Sequence, residues 1–252
     1  MTFGPVIDAL ALPSDARVDQ RVPKKLLLEQ GAPTAADKRK IQDGVEEMHW
    51  IAALKPTNIG VPVFRDEVRE YLEIAVLTAT LRAAAKPTRL VELLHRAIPY
   101  PLLLVAAHEG TVSLSLAHKR RSQGESGKVV IEDVRRTAPF RPDTPTAQEA
   151  AFLGSLALST LPVRNLFTLY QGWLDCVAAL EAAQITGAFA PPDSPARASA
   201  RIEGLDTHAR LLRDLAGLRA QAQREKQVNR RVDLNLEIKR LEAELESTAK
   251  SL

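Results

Sequence analysis

The sequence predicts an α+β fold: a mostly antiparallel sheet with packed helices, followed by a C-terminal helical or coiled-coil region. Three observations predict it. Between residues 47 and 136 several segments alternate apolar and polar side chains or run wholly apolar, the patterns of half-buried and fully buried strands. Between two of them lies "PTRLVELLHRAI", residues 87–98, whose apolar side chains recur at helical spacing. From residue 201 onward, leucines step by four and three through a charged background, as they do along a long helix.

"RVPKKLLLEQGAPTAADKRKIQDGVEEM" reads as two short helices parted by Gly31 and Pro33, with Thr34 as N-cap and Asp37 at the positive end of the second. "EMHWIAALKP" puts Met48, Trp50, Ala52 and Leu54 on one strand face, and Pro56 ends it. "REYLEIAVLTATLR" is a second strand, with Tyr71, Glu73, Ala75, Leu77 and Ala79 on one side. Pro87 and Thr88 then open a helix striped by Leu90, Leu94 and Ala97, with Val91 and Leu93 beside them. Pro99 stops it, because proline cannot donate the next helical hydrogen bond.

"YPLLLVAAH" is unbroken enough to be a central strand. "TVSLSLAHK" follows a turn at Glu109 and Gly110, and "GKVVIEDVRR" completes an antiparallel meander. The α+β domain is therefore expected over residues 1–142. Thr146 and Glu149 stand at capping-box spacing and open a helical pair over 143–190 that Gly187 closes. The proline-rich stretch predicts a linker over 191–200. Residues 201–252 form a long helix or coiled coil, with Leu211, Leu215, Leu218 and Ala222 in one run and Leu234, Ile238, Leu241 and Leu245 in the other. The two runs share no heptad frame, so a stutter or break is expected at Asn229 to Arg231.

Apolar residues make up 45% of the 252 and charged residues 26%, the balance of a chain able to bury a core. Cys176 is the single cysteine, which excludes an internal disulfide and a cysteine-based zinc site and suits a reducing compartment. The N-terminal stretch lacks the basic and long apolar regions of a secretory signal, and no apolar run approaches a membrane span, so a cytoplasmic location and no membrane contact are expected. A net charge of +3 decides nothing about nucleic acid; the local distribution of charge matters more.

"GESGKV" is no phosphate-binding loop. Its Lys128 is followed by Val129 rather than Ser or Thr, and a strand follows where a helix N-terminus is required. No serine-hydrolase elbow, zinc-protease or dinucleotide motif is present. His49, His95, His108, His118 and His208 lie at no ligand spacing, although His108 and His118 fall on neighbouring strands, so no metal and no cofactor are expected.

Three candidate sites remain. Glu70, Glu73, Glu132 and Asp133 are the carboxylates from which a divergent metal-dependent nuclease would be built, against which stands the missing lysine of an E-x-K arrangement. Lys119, Arg120, Arg121, Lys128, Arg135 and Arg136, with Arg141, cluster at the ends of one predicted hairpin. They suit a non-sequence-specific contact with DNA backbone, or ordinary edge-strand protection. Leu234, Ile238, Leu241 and Leu245 form a seam for a partner helix, for a second copy in a homodimer, or for an intramolecular hairpin.

The order of "VPKKLLLEQG", "EMHWIAALKPTNIGV", "EYLEIAVLTATLR", "AIPYPLLLV", "VSLSLAHKR" and "QVNRRVDLNLEIKRLEAEL" resembles the bacterial family DUF4391, from about Val22 to Leu245. Pro23 with Lys24, Trp50, Pro56 with Asn58, Glu73, the Ile98 to Pro101 run, and Asn235 with Lys239 carry the likeness; Ala75 departs from the polar or larger residue usual there. The family supplies no established catalytic residues. The resemblance implies a context: genes beside superfamily 2 helicases and DNA methyltransferases, in restriction-like or antiphage islands. The expectation is thus a non-enzymatic accessory subunit whose partner is the helicase or methyltransferase subunit, with a nuclease or a DNA-binding module as alternatives.

Overall fold

The computed structural model describes residues 3–122, 124 and 129–252. In chain order the elements are α1 (Gly4–Ala9), β1 (Arg17–Arg21), α2 (Lys24–Gly31), α3 (Ala35–Gly44), β2 (Val45–Leu54) and the short α4 (Pro56–Ile59). Then come β3 (Phe64–Arg65), β4 (Glu70–Tyr71), β5 (Ile74–Leu81), α5 (Pro87–Ala97), β6 (Leu102–His108), β7 (Thr111–Leu116), β8 (Lys119–Arg121), β9 (Val129–Ile131) and β10 (Arg135–Arg136). The remainder is helical: α6 (Ala147–Gly154), α7 (Leu166–Thr186), α8 (Pro195–Arg224) and α9 (Val228–Lys250).

The α+β class is as the sequence predicts. Six strands form one sheet in the order β1-β2-β5-β6-β7-β10. All neighbours are antiparallel except the central pair, β5 and β6, which run parallel with Ala75 beside Leu102 and Thr80 beside Ala107. A helix placed between two strands carries the chain back to the end where it began, so α5 is a crossover and the parallel pair follows from it. Both strands are almost wholly buried, as their apolar runs require. β6 turns into β7 through Glu109 and Gly110, both at positive φ (48° and 76°), the two-residue turn whose twist matches a hairpin.

One face of this sheet packs on α2, α3 and α5 through a core that includes Leu27, Ile41, Met48, Leu77, Leu90, Leu94 and Leu104. Between α3 and α5, Arg89 grips the buried Asp37 carboxylate with Nη2 at 2.9 Å and Nε at 3.2 Å, and this pairing holds Asp37 well below the usual carboxylate range. Thr34 caps α3 as its spacing predicts, accepting from the Asp37 amide at 3.1 Å.

Several expectations are corrected. The segment read as one strand over 69–82 breaks after Tyr71: β4 pairs with β3 in its own ribbon, and only Ile74 onward joins the main sheet. The third strand of the meander splits as well, β9 pairing with β8 while β10 takes the edge beside β7. β1, which pairs with β2, was not anticipated; its residues are mostly exposed and carry no alternating apolar pattern.

The chain divides into two compact units, Met1–Val177 and Ala178–Leu252, with the division inside α7. Residues 143–177 thus belong with the sheet rather than with a separate helical pair. The expected linker over 191–200 also contains the start of α8: Ser194 caps it, accepting from the Arg197 amide at 3.3 Å, and Pro195 stands in the first turn, where proline is preorganised for a helix. A proline read as a breaker is here a start signal. The long helix does break, at Glu225 to Gln227 rather than at Asn229 to Arg231, and α9 folds back on α8. Arg219 and Glu242 bridge the two at 2.7 Å.

Candidate functional site

Chemistry-bearing side chains gather in the first unit where β4, the end of α5 and β8 meet. The local cause lies in α5. In a helix the amide of residue i donates to the carbonyl of residue i−4; the donor due to the His95 carbonyl would be residue 99, and Pro99 has none. The Lys119 ammonium replaces it, donating to the His95 carbonyl at 2.9 Å and to the Ile98 carbonyl beside it. Lys119 is only 4% exposed, and burial lowers its pKa to about 7. His95 is fully buried, with Nε2 3.0 Å from the Ser115 hydroxyl; burial, aided by the Lys119 charge, lowers its pKa to about 3.

The predicted basic patch is therefore not one surface. Lys119 is buried and donates to carbonyl oxygens, so it offers no surface contact to a DNA backbone. Arg121 is exposed beside Glu70 at 3.4 Å. Arg120 lines a groove with Thr88, Glu92, Arg96 and Asp133, and Arg136 on β10 donates to Thr88 Oγ1 at 3.2 Å, its pKa lowered by burial. Arg135 is half-buried opposite Leu116, and Arg141 is exposed. Lys128 and most of "GESGKV" lie outside the described residues.

The candidate nuclease carboxylates do not converge. Glu70 on β4 is paired with Arg65 as well as Arg121. Glu73, just ahead of β5, is held by Lys55 at 3.1 Å, and Glu132 by Arg69 at 2.7 Å; Asp133 lines the groove with Glu132. Among the described residues no group of three or more His, Cys, Asp or Glu is arranged to hold a metal ion.

His108 and His118 are not neighbours. His108 ends β6 at the turn, 3.2 Å from the Ala83 carbonyl, whereas His118 follows the far end of β7. There it anchors a hydrogen-bond chain that sequence reasoning missed. Gln171 on α7 donates its amide to Asp175 at 2.8 Å, which leaves its Oε1 to accept from His118 Nε2 at 2.7 Å and leaves His118 Nδ1 to accept from the Tyr71 hydroxyl. Burial lowers the His118 pKa, consistent with this neutral imidazole. Phe167 stacks on the ring at 5.0 Å, with Arg69 over its own ring at 5.8 Å. The partners of His118 lie about fifty residues away on either side, and no local spacing announces them.

Beside Lys119 is a cavity of about 180 Å³ walled by Pro99, Tyr100, Pro101, Leu72 and Val129, with Glu70, Arg120 and Arg121 at its charged side. Tyr100 is partly exposed and meets Trp50 edge-on at 5.9 Å. The "IPYP" run thus ends a helix, aligns β6 and forms one wall of this cavity.

Sheet, crossover helix and helical hairpin define an α+β protein in which the candidate carboxylates Glu70, Glu73 and Glu132 are each paired with arginine or lysine. The model of the family described as a domain of unknown function, DUF4391, matches residues 10–245, and the chain belongs to that family. No curated protein matches the chain. No solved structure matches it either. Among the described residues no helix is long and apolar enough to cross a membrane.

Proposed function

We propose that this protein is a non-enzymatic accessory subunit, acting by protein–protein interaction in a cytoplasmic DNA defence system of antiphage or restriction-like kind. Its partner is the helicase or the methyltransferase subunit of that system, the class of neighbour that the family resemblance implies. The observation that carries this reading is the outer face of α9. The seam of Leu234, Ile238, Leu241 and Leu245 is half-buried, consistent with its use against α8. On the opposite side of the same helix Val228, Val232 and Leu236, spaced by four, are 63%, 51% and 62% exposed. Arg231, Lys239 and Arg240 border this stripe. It fits a partner surface with an apolar strip edged by acidic side chains.

The ion pairs that occupy Glu70, Glu73 and Glu132 support the non-enzymatic part of the reading, because a magnesium site needs carboxylates free to converge. Incubating the purified protein with DNA and magnesium tests that part. No cleavage is expected; cleavage that disappears in Glu73→Ala would replace this reading with that of a nuclease. Salt-sensitive DNA binding weakened by Arg120→Ala and Arg135→Ala would instead favour a DNA-binding module.

A further inference from the structure

We propose that the cavity beside Lys119 binds a small monocarboxylate with a short apolar body, its charged end on Lys119 and Arg121 and its body against Leu72, Tyr100 and Val129. This site is independent of the partner-binding stripe on α9. Four observations carry it. No ion pair joins the Lys119 ammonium to a carboxylate among the described residues, although the side chain is buried; a buried cation without an anion is costly, and an anion in the adjoining cavity supplies what is missing. An ammonium has three donors and two are held by the His95 and Ile98 carbonyls, which leaves one. Arg121 lies two residues along β8 and so shares the Lys119 face. Leu72, Tyr100 and Val129 are three of the large apolar side chains that the protein leaves exposed, and all three line this one cavity.

Size and polarity narrow the ligand. About 180 Å³ is the room of roughly six waters, enough for a branched acid of that many heavy atoms or a few more. Glu70, the one acidic wall residue among those described, takes Arg65 as its closer partner, and Arg121 retains donors for a second carboxylate. Of the basic residues that border the cavity, Arg120 also lines the groove with Glu92 and Asp133 and Arg121 is shared with Glu70, which leaves Lys119 as the one buried cation. With an apolar rim above it, the site suits a monocarboxylate better than a multiply charged, fully hydrated phosphate.

Titration of the full chain with 4-methylpentanoate, followed by calorimetry, tests the proposal, with 4-methylpentanamide and inorganic phosphate as comparators. The acid binds saturably and the amide, equal in shape but uncharged, binds about tenfold more weakly or less. Lys119→Met removes binding and Arg121→Gln weakens it severalfold. The proposal is overturned if the acid does not bind, if amide and acid bind alike, if phosphate binds more tightly than the acid, or if a folded Lys119→Met retains the wild-type affinity. Should Lys119→Met not fold, Arg121→Gln decides, and unchanged affinity in that variant overturns the proposal.

Discussion

The Lys119 ammonium donates to the His95 carbonyl at 2.9 Å, in the place where Pro99 has no amide to offer. A proline that ends a helix has been matched by a lysine twenty residues downstream. The cost of burying that charge shows in the lowered pKa of Lys119, and it makes stability depend on alkaline pH. In the unfolded chain the amine titrates near 10.5, and in the folded one near 7. Between these values the unfolded state binds more protons, so this group's contribution to stability rises from about pH 7 to about 10.5 and is level below pH 7. Chemical denaturation across that range checks it: the wild type carries a rising component that Lys119→Met lacks.

His95 gives the same sign at acid pH. Its folded pKa of about 3 lies under the ordinary 6.5, so protons favour the unfolded state between these limits and stability falls as pH drops from 6.5 towards 3. The steepest slope from one such group is about 1.4 kcal/mol per pH unit. His95→Gln, which does not titrate, flattens that part of the profile, measured as the urea midpoint against pH.

Tyr170 bolts α7 to the sheet of the first unit. Its hydroxyl accepts from the Ala117 amide at 2.9 Å and donates to the Leu102 carbonyl at 2.8 Å, both buried. Tyr170→Phe leaves that amide without a partner and costs about 1–3 kcal/mol of unfolding free energy, read from urea denaturation.

Gly31 sits where α2 meets α5. A Cβ there falls 2.7 Å from both the Leu93 carbonyl oxygen and the Ala97 methyl, and neither is the end of a flexible side chain. Gly31→Ala therefore pushes the helices apart and destabilises by about 1–3 kcal/mol despite alanine's better helix propensity. A thermal midpoint at or above the wild type would show that this contact is looser than the geometry requires.

What was legible in the sequence was local. Thr34 with Asp37, Thr146 with Glu149, and Pro87 to Pro99 each mark a helix boundary within a few residues, and the structure puts boundaries there. The apolar run after Pro101 gave away a central strand for the same reason. Strand partners and buried polar contacts were not legible, because they depend on residues far apart in the chain. Lys119 reads as one of a basic cluster and is instead a donor to α5; His118 reads as a strand-end histidine and is instead bonded to Tyr71 and Gln171. The lack of an amide at Pro99 signals that a donor is needed, but not that Lys119 provides it. Ser194 with Pro195 shows the converse, a helix start hidden in a stretch whose prolines suggest a linker.

The proposed role is tested most directly by co-purifying the tagged full chain with the helicase and methyltransferase subunits encoded beside it, and repeating this with Leu236→Glu. A stoichiometric complex is expected with the wild type. The variant, with an unchanged helical signal by circular dichroism, weakens it by about 2 kcal/mol or more, roughly thirtyfold in affinity. No complex with either subunit, a complex indifferent to Leu236→Glu, or a stripe occupied only by a second copy of the chain in light scattering would contradict it.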